Sequence, residues 1–145
     1  MMAFLERLFY NLFEVHPLHP MIVHFPIALT ASALFFILVA LRYRVFEQFA
    51  FANLALASIS TIVAGATGMM DNLKNYEGLA PNASVKIALA TSLLVISAII
   101  SIVRWKNPTV FTSRWRWLYM LGFFVCFALA AVLGFLGGVI VYGFS

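Results

Sequence analysis

A chain of 145 residues has the length of one domain, and this one is 64% hydrophobic and only 10% charged. A soluble domain carries about 25% charged residues, so the polar surface needed to coat a water-facing globule is missing. The net charge of +4 does not mark a nucleic-acid binder, because the basic residues fall between long apolar runs, where a membrane protein places them.

Residues 1–14, MMAFLERLFYNLFE, put Phe4, Leu5, Leu8, Phe9 and Leu12 on one helical face and Glu6, Arg7, Asn11 and Glu14 on the other. This is the pattern of an amphipathic helix lying flat in the membrane interface. A signal peptide would need a basic start and a small-residue cleavage site, and neither is present. Four apolar stretches follow, at Met21–Leu41, Phe49–Met70, Val85–Val103 and Trp117–Tyr142. Each approaches the roughly 20 residues a transmembrane helix requires and far exceeds the ~10 of a barrel strand. The expected fold is therefore all-α: a single four-helix transmembrane bundle over residues 1–145, preceded by a short interfacial helix.

In the first span Pro17 and Pro20 separate it from the segment before, and Pro26 removes the backbone bond that would reach Ile22, which predicts a kink. The second span is rich in small residues, among them Ala57, Ser58, Ala64, Gly65 and Gly68. The fourth carries Gly134 and Gly138 in GxxxG spacing. Between lipid-embedded helices such residues mark close contacts, within the chain or with another subunit. Cys126, the one cysteine, lies mid-span and reads as a packing residue; alone it can hold neither a disulfide nor an iron–sulfur cluster.

Charge sets the expected orientation. Arg42, Arg44, Arg104, Lys106, Arg114 and Arg116 flank two of the connections with one acid, Glu47, among them. The positive-inside rule makes that face cytoplasmic, with both termini periplasmic if the membrane is a bacterial inner membrane. Trp105, Trp115, Trp117, Tyr43 and Tyr119 are placed to form the aromatic belt there.

Chemistry concentrates in HPLHPMIVHFP, residues 16–26, which holds all three histidines, His16, His19 and His24. An ionisable group at membrane depth usually faces the bundle interior or a wet cavity. His24 is the deepest and the best candidate for an axial ligand to haem iron or a pigment magnesium. A hydrogen-bonded structural cluster is the alternative. Topology brings Met69, Met70 and Asp71 to the same end. Asp71 is a candidate outer partner for a histidine N–H, and Met70 or Met69 a candidate sixth haem ligand. The second, third and fourth spans contain no histidine, so bis-histidine haem b would require His16 or His19 to fold over His24, or a second chain. A single axial histidine needs no such help. There is no phosphate-cradling glycine motif, no HExxH, no nucleophile elbow and no ladder of intramembrane acids, so enzyme and pump readings are poorly supported.

The run HPLHPMIVHFPIAL at 16–29, with ATGMMD at 66–71 and GGVIVYG at 137–143, resembles a bacterial and archaeal family of small predicted membrane proteins of unknown function. The resemblance covers most of the chain. It implies a four-helix module found with, or fused to, Rieske iron–sulfur or cytochrome c domains, hence a setting in membrane electron transfer. His16, His19, His24, Gly68, Asp71, Gly138 and Tyr142 match family positions. Where many relatives carry a histidine near the start of the third span, this chain reads Ser84–Val85–Lys86–Ile87. Two expectations follow: a non-enzymatic subunit of a membrane electron-transfer or photosynthetic complex, packing against other redox subunits in the bilayer, or a small b-type cytochrome or quinone-proximal carrier with His24 as axial ligand.

Overall fold

A computed structural model of the chain describes residues 18–78 and 81–142. The interfacial helix expected at 1–14 and His16 lie outside the described residues. Within them the protein is all helical, in the order α1 (Leu18–Ile22), α2 (His24–Val39), α3 (Phe46–Tyr76), α4 (Ala83–Lys106) and α5 (Arg116–Tyr142), with one 3-10 turn at Val110–Thr112. Four stretches are long and apolar enough to cross a membrane: His19–Val39, Phe46–Asn75, Ala83–Lys106 and Arg116–Gly138. The protein is a multi-pass membrane protein.

The first span is two helices rather than one. Val23 keeps an αR backbone (φ −64°, ψ −19°) and its N–H still reaches the His19 carbonyl at 3.0 Å, and the hydrogen-bond ladder lapses just after it. Pro26 has no N–H to offer Ile22, so the expected kink becomes a break with a chemical cause. α2 then runs to the basic turn at residues 40–45, α3 returns, and α4 and α5 repeat the traverse. Each helix packs on its neighbours in sequence, and α5 closes the ring against α2. Alanines make the α2–α3 seam: Ala33, Ala40, Ala50 and Ala57 are fully buried. Small side chains let the two backbones approach where lipid gives no hydrophobic drive to association. The interior is completed by Ile37, Leu54, Leu93, Phe123 and Cys126, while Phe35, Leu38, Ile59, Ile62 and Phe124 are exposed on the surface that faces lipid chains. Most polar groups inside find partners, as a hydrocarbon setting demands: the Ser58 and Ser97 hydroxyls meet at 2.8 Å across α3 and α4, and the buried Ser101 hydroxyl is the exception among the described residues.

Two boundaries differ instructively from those the hydropathy implies. α3 begins at Phe46 instead of Phe49 and continues past Met70 to Tyr76. Hydropathy reports where the bilayer ends, and the polar stretch DNLKNY still makes good helix beyond it. The helix stops at Glu77 (φ 51°) and Gly78 (φ 81°), both left-handed, with the Gly78 N–H returning to the Asn72 carbonyl at 3.0 Å. Asp71 therefore sits on a helix and not in a loop. At the opposite end Glu47, expected as a face charge, is buried at 6% exposure. Tyr119, expected in the aromatic belt, is buried beside it. Trp105, Trp115 and Trp117 are exposed there, with Arg114 and Arg116 stacked over the rings of Trp115 and Trp117.

Candidate site: a cavity at the histidine end

The bundle is not equally tight along its length. At the end where α1, the end of α3, the start of α4 and the end of α5 meet, a cavity of about 550 Å³ opens. That volume lies within the ~300–1,000 Å³ typical of small-molecule sites. Its origin can be read from the helix faces. On α3, Thr61, Ala64, Gly65, Gly68, Asp71 and Asn72 share one side at 3–4-residue spacing; Ala130, Gly134, Gly137 and Gly138 do so on α5. A Cβ placed on Gly65, Gly137 or Gly138 would meet nothing within 4 Å. These glycines make space instead of contact. Gly134 differs, because the Ile27 side chain lies 3.0 Å from its Cβ position, so one member of the GxxxG pair packs within the chain while the other opens on the cavity.

His19 and His24 both line this cavity but are held differently. The His19 ring lies flat over Gly68, whose Cβ position is 2.7 Å from its Cε1 atom. Its Nδ1 is 3.3 Å from Thr67 Oγ1. The Thr67 hydroxyl already donates to the carbonyls of Val63 or Ala64, so at this contact the imidazole N–H donates and Thr67 accepts. His19 thus pins α1 onto α3, and Gly68 is the seat that admits it. His24 Nδ1 lies 2.5 Å from the Pro20 carbonyl. A carbonyl only accepts, so Nδ1 carries a proton, and in the neutral ring Nε2 is the nitrogen with the lone pair. The ring satisfies a carbonyl at the break in the first span. It also acquires the tautomer and fixed orientation that a metal-binding histidine draws from a backbone carbonyl.

The mouth of the cavity is charged. Asp71 Oδ1 accepts from Asn75 Nδ2 at 2.5 Å, and Oδ2 has no hydrogen bond among the described residues. Asp71 acts electrostatically on both His19 and Lys86, although no ion pair within 4 Å joins it to either. Lys86, half-buried in the first turn of α4, also lines the cavity; its ammonium makes no hydrogen bond among the described residues. The sequence brings Lys86 to the histidine end of the bundle and marks its neighbourhood as a departure from relatives, without giving it a role. The available signal was a lysine one turn into an apolar span, a position that must face a polar neighbour or a cavity. Met70 does not join the site: it is 69% exposed and absent from the cavity wall, where its neighbour Met69 stands instead. The two residues are 100° apart on the helix, and the rotation of α3 turns Met69 to the cavity and Met70 away from it. The side chain of Tyr142 lies outside the described residues.

No group of three or more His, Cys, Asp or Glu among the described residues is arranged to hold a bare metal ion. A macrocyclic metal brings four ligands of its own and asks the protein for one axial nitrogen, which His24 Nε2 can provide. For haem b the residues fit a single protein ligand; a second axial ligand from Met70 does not fit.

A second polar constellation, unforeseen in the sequence, closes the opposite end. Arg104 grips Glu47 with two hydrogen bonds, Nε to Oε1 at 2.5 Å and Nη2 to Oε2 at 2.8 Å, and Tyr119 donates to Oε1 at 2.9 Å. The Arg104 guanidinium also lies over Phe51. This clamp ties α3, α4 and α5 together with every carboxylate oxygen paired.

No curated protein and no solved structure matches this chain. A family model does, over residues 15–145, nearly the whole length and including every residue of the cavity. The chain belongs to the DUF2231 family of predicted membrane proteins.

Proposed function

We propose that the protein is a non-enzymatic subunit of a membrane electron-transfer or photosynthetic assembly, which holds a lipid-soluble redox group at the histidine end of its bundle. The observation that carries this reading is the cavity: an apolar trough floored by glycines, with Asp71, Lys86, His19 and His24 around its mouth. Four apolar helices gain nothing from retaining such a void by themselves, since each unfilled space forfeits packing contacts. A bundle with an amphipathic guest recovers them. The orientation we infer follows the basic residues that remain once Arg104 is neutralised by Glu47, namely Arg42, Arg44, Lys106, Arg114 and Arg116. It places the cavity at the periplasmic side of a bacterial inner membrane, on the side of soluble and membrane-anchored redox domains. The lipid-facing surfaces are left for partner subunits.

The tautomer of His24 favours a second reading, a small b-type cytochrome with His24 Nε2 as the axial ligand. Bound haem would supply one-electron chemistry, while this chain fixes the imidazole through Pro20 and excludes water with the glycine-lined wall. The two readings separate on purification from the native membrane in mild detergent. Co-migration of a colourless chain with a redox complex supports the subunit. A Soret band that disappears in His24→Ala but survives in His19→Ala supports the cytochrome. A colourless chain that migrates alone would refute both.

A further inference from the structure

We infer that the cavity is a binding site for a lipophilic quinone and that it accepts the oxidised and the reduced forms alike. This rests on the redox reading above and names the class of guest. The case is one of hydrogen-bond bookkeeping in lipid. A quinone presents carbonyl oxygens, which need a donor, and its quinol presents hydroxyls, which need an acceptor. Few membrane sites offer both in one place. Here the Lys86 ammonium is a half-buried donor with no hydrogen-bond partner among the described residues. Two acceptors line the same cavity. Nε2 of His24 is the acceptor of the neutral ring, because Nδ1 donates to Pro20, and Asp71 Oδ2 has no hydrogen bond among the described residues while Oδ1 accepts from Asn75.

Charge argues against the competing guests. Asp71 and Lys86 carry opposite charges at the same cavity, so what an anionic head, such as a fatty acid or lipid phosphate, gains from Lys86 is offset by repulsion from Asp71. A neutral ring with polar atoms meets both favourably. Shape agrees: Gly65 on α3 and Gly137 and Gly138 on α5 leave open space at their Cβ positions, giving a smooth wall for a flat ring. Below the polar mouth the wall is apolar down to Leu93 and Ala130, as an isoprenoid chain needs.

The test uses the full chain in phospholipid nanodiscs, titrated with decylubiquinone, with a short-chain menaquinone and with their quinols. Empty nanodiscs set the partition baseline. Saturable binding of both redox forms is expected. Lys86→Gln should weaken the quinone by about tenfold, the size of one lost charge-assisted hydrogen bond. His24→Ala or Asp71→Asn should weaken the quinol more than the quinone. Gly65→Leu grows into the trough from a Cβ position with nothing within 4 Å and should abolish binding with the melting temperature kept or raised, so that loss of fold is not mistaken for loss of site. Uptake no greater than that of empty nanodiscs, or equal binding in the Gly65→Leu variant, overturns the inference, as does a cavity already filled by haem. Failure of the two ideas is distinguishable: a chain that joins a redox complex without binding quinone sinks this inference alone, and saturable binding by a chain that joins none sinks the subunit reading alone.

Discussion

Glu47 shows how much one side chain can change the meaning of a region. In the sequence it is a lone acid among arginines; in the bundle it is the centre of a three-helix clamp with Arg104 and Tyr119. Removing one partner of a buried ion pair strands the other, at a cost of about 3–5 kcal/mol. Glu47→Ala should therefore lower the thermal midpoint in detergent sharply, whereas Glu47→Met combined with Arg104→Met should recover much of the loss. An unchanged midpoint in Glu47→Ala would mean that the clamp contributes little. Tyr119→Phe removes one hydrogen bond to a charged oxygen and should cost about 1.5–3 kcal/mol. Gly68 and His19 form the other informative pair. A methyl group at Gly68 collides with the His19 ring at 2.7 Å, so Gly68→Ala should destabilise by about 1–3 kcal/mol. In a His19→Ala background the same change should be neutral or slightly favourable, because alanine is the better helix former. A double-mutant cycle with no coupling between them would remove His19 from its seat.

Among the elements, the broken first span and the overlong α3 together make the site. Pro26 interrupts the ladder, Val23 turns, and the freed region is capped by the His24 ring through Pro20. Pro26→Ala restores a donor for Ile22 and should slow amide hydrogen exchange from Val23 to Ile27; it should also re-aim His24 and weaken any ligand in the cavity. Exchange rates unchanged by the substitution would point to another cause for the break. α3 has 31 residues and is therefore about 46 Å long, well beyond the ~30 Å hydrocarbon core. Its surplus turns carry Asp71, Asn72 and Asn75 past the apolar run, with Asp71 and Asn72 still on the cavity wall.

For the molecule as a whole, the two ends of the bundle are built on opposite rules. One is sealed by a satisfied ionic clamp and flanked by arginines stacked on tryptophans. The other is opened by glycines and lined by His19, His24, Asp71 and Lys86. Such polarity suits a subunit anchored at one face and exchanging a guest at the other. The inferred orientation has a direct check. A green fluorescent protein inserted in the 107–115 connection should fluoresce, and alkaline phosphatase at the same place should be inactive; the reverse pattern would turn the cavity toward the cytoplasm.

The four crossings, their all-helical class, the kink at Pro26 and the histidine-bearing end were legible in the residues alone. Bilayer thickness and backbone satisfaction leave an apolar run of about 20 residues one main way to fold, and proline withdraws a backbone donor wherever it stands. Partnership was not legible. Which glycines pack and which leave space, why Lys86 belongs to the site and Met70 does not, and how Glu47 finds an arginine 57 positions away depend on the rotation of each helix about its own axis. That rotation is set by side chains from neighbouring helices meeting across the bundle, and a linear sequence does not contain it.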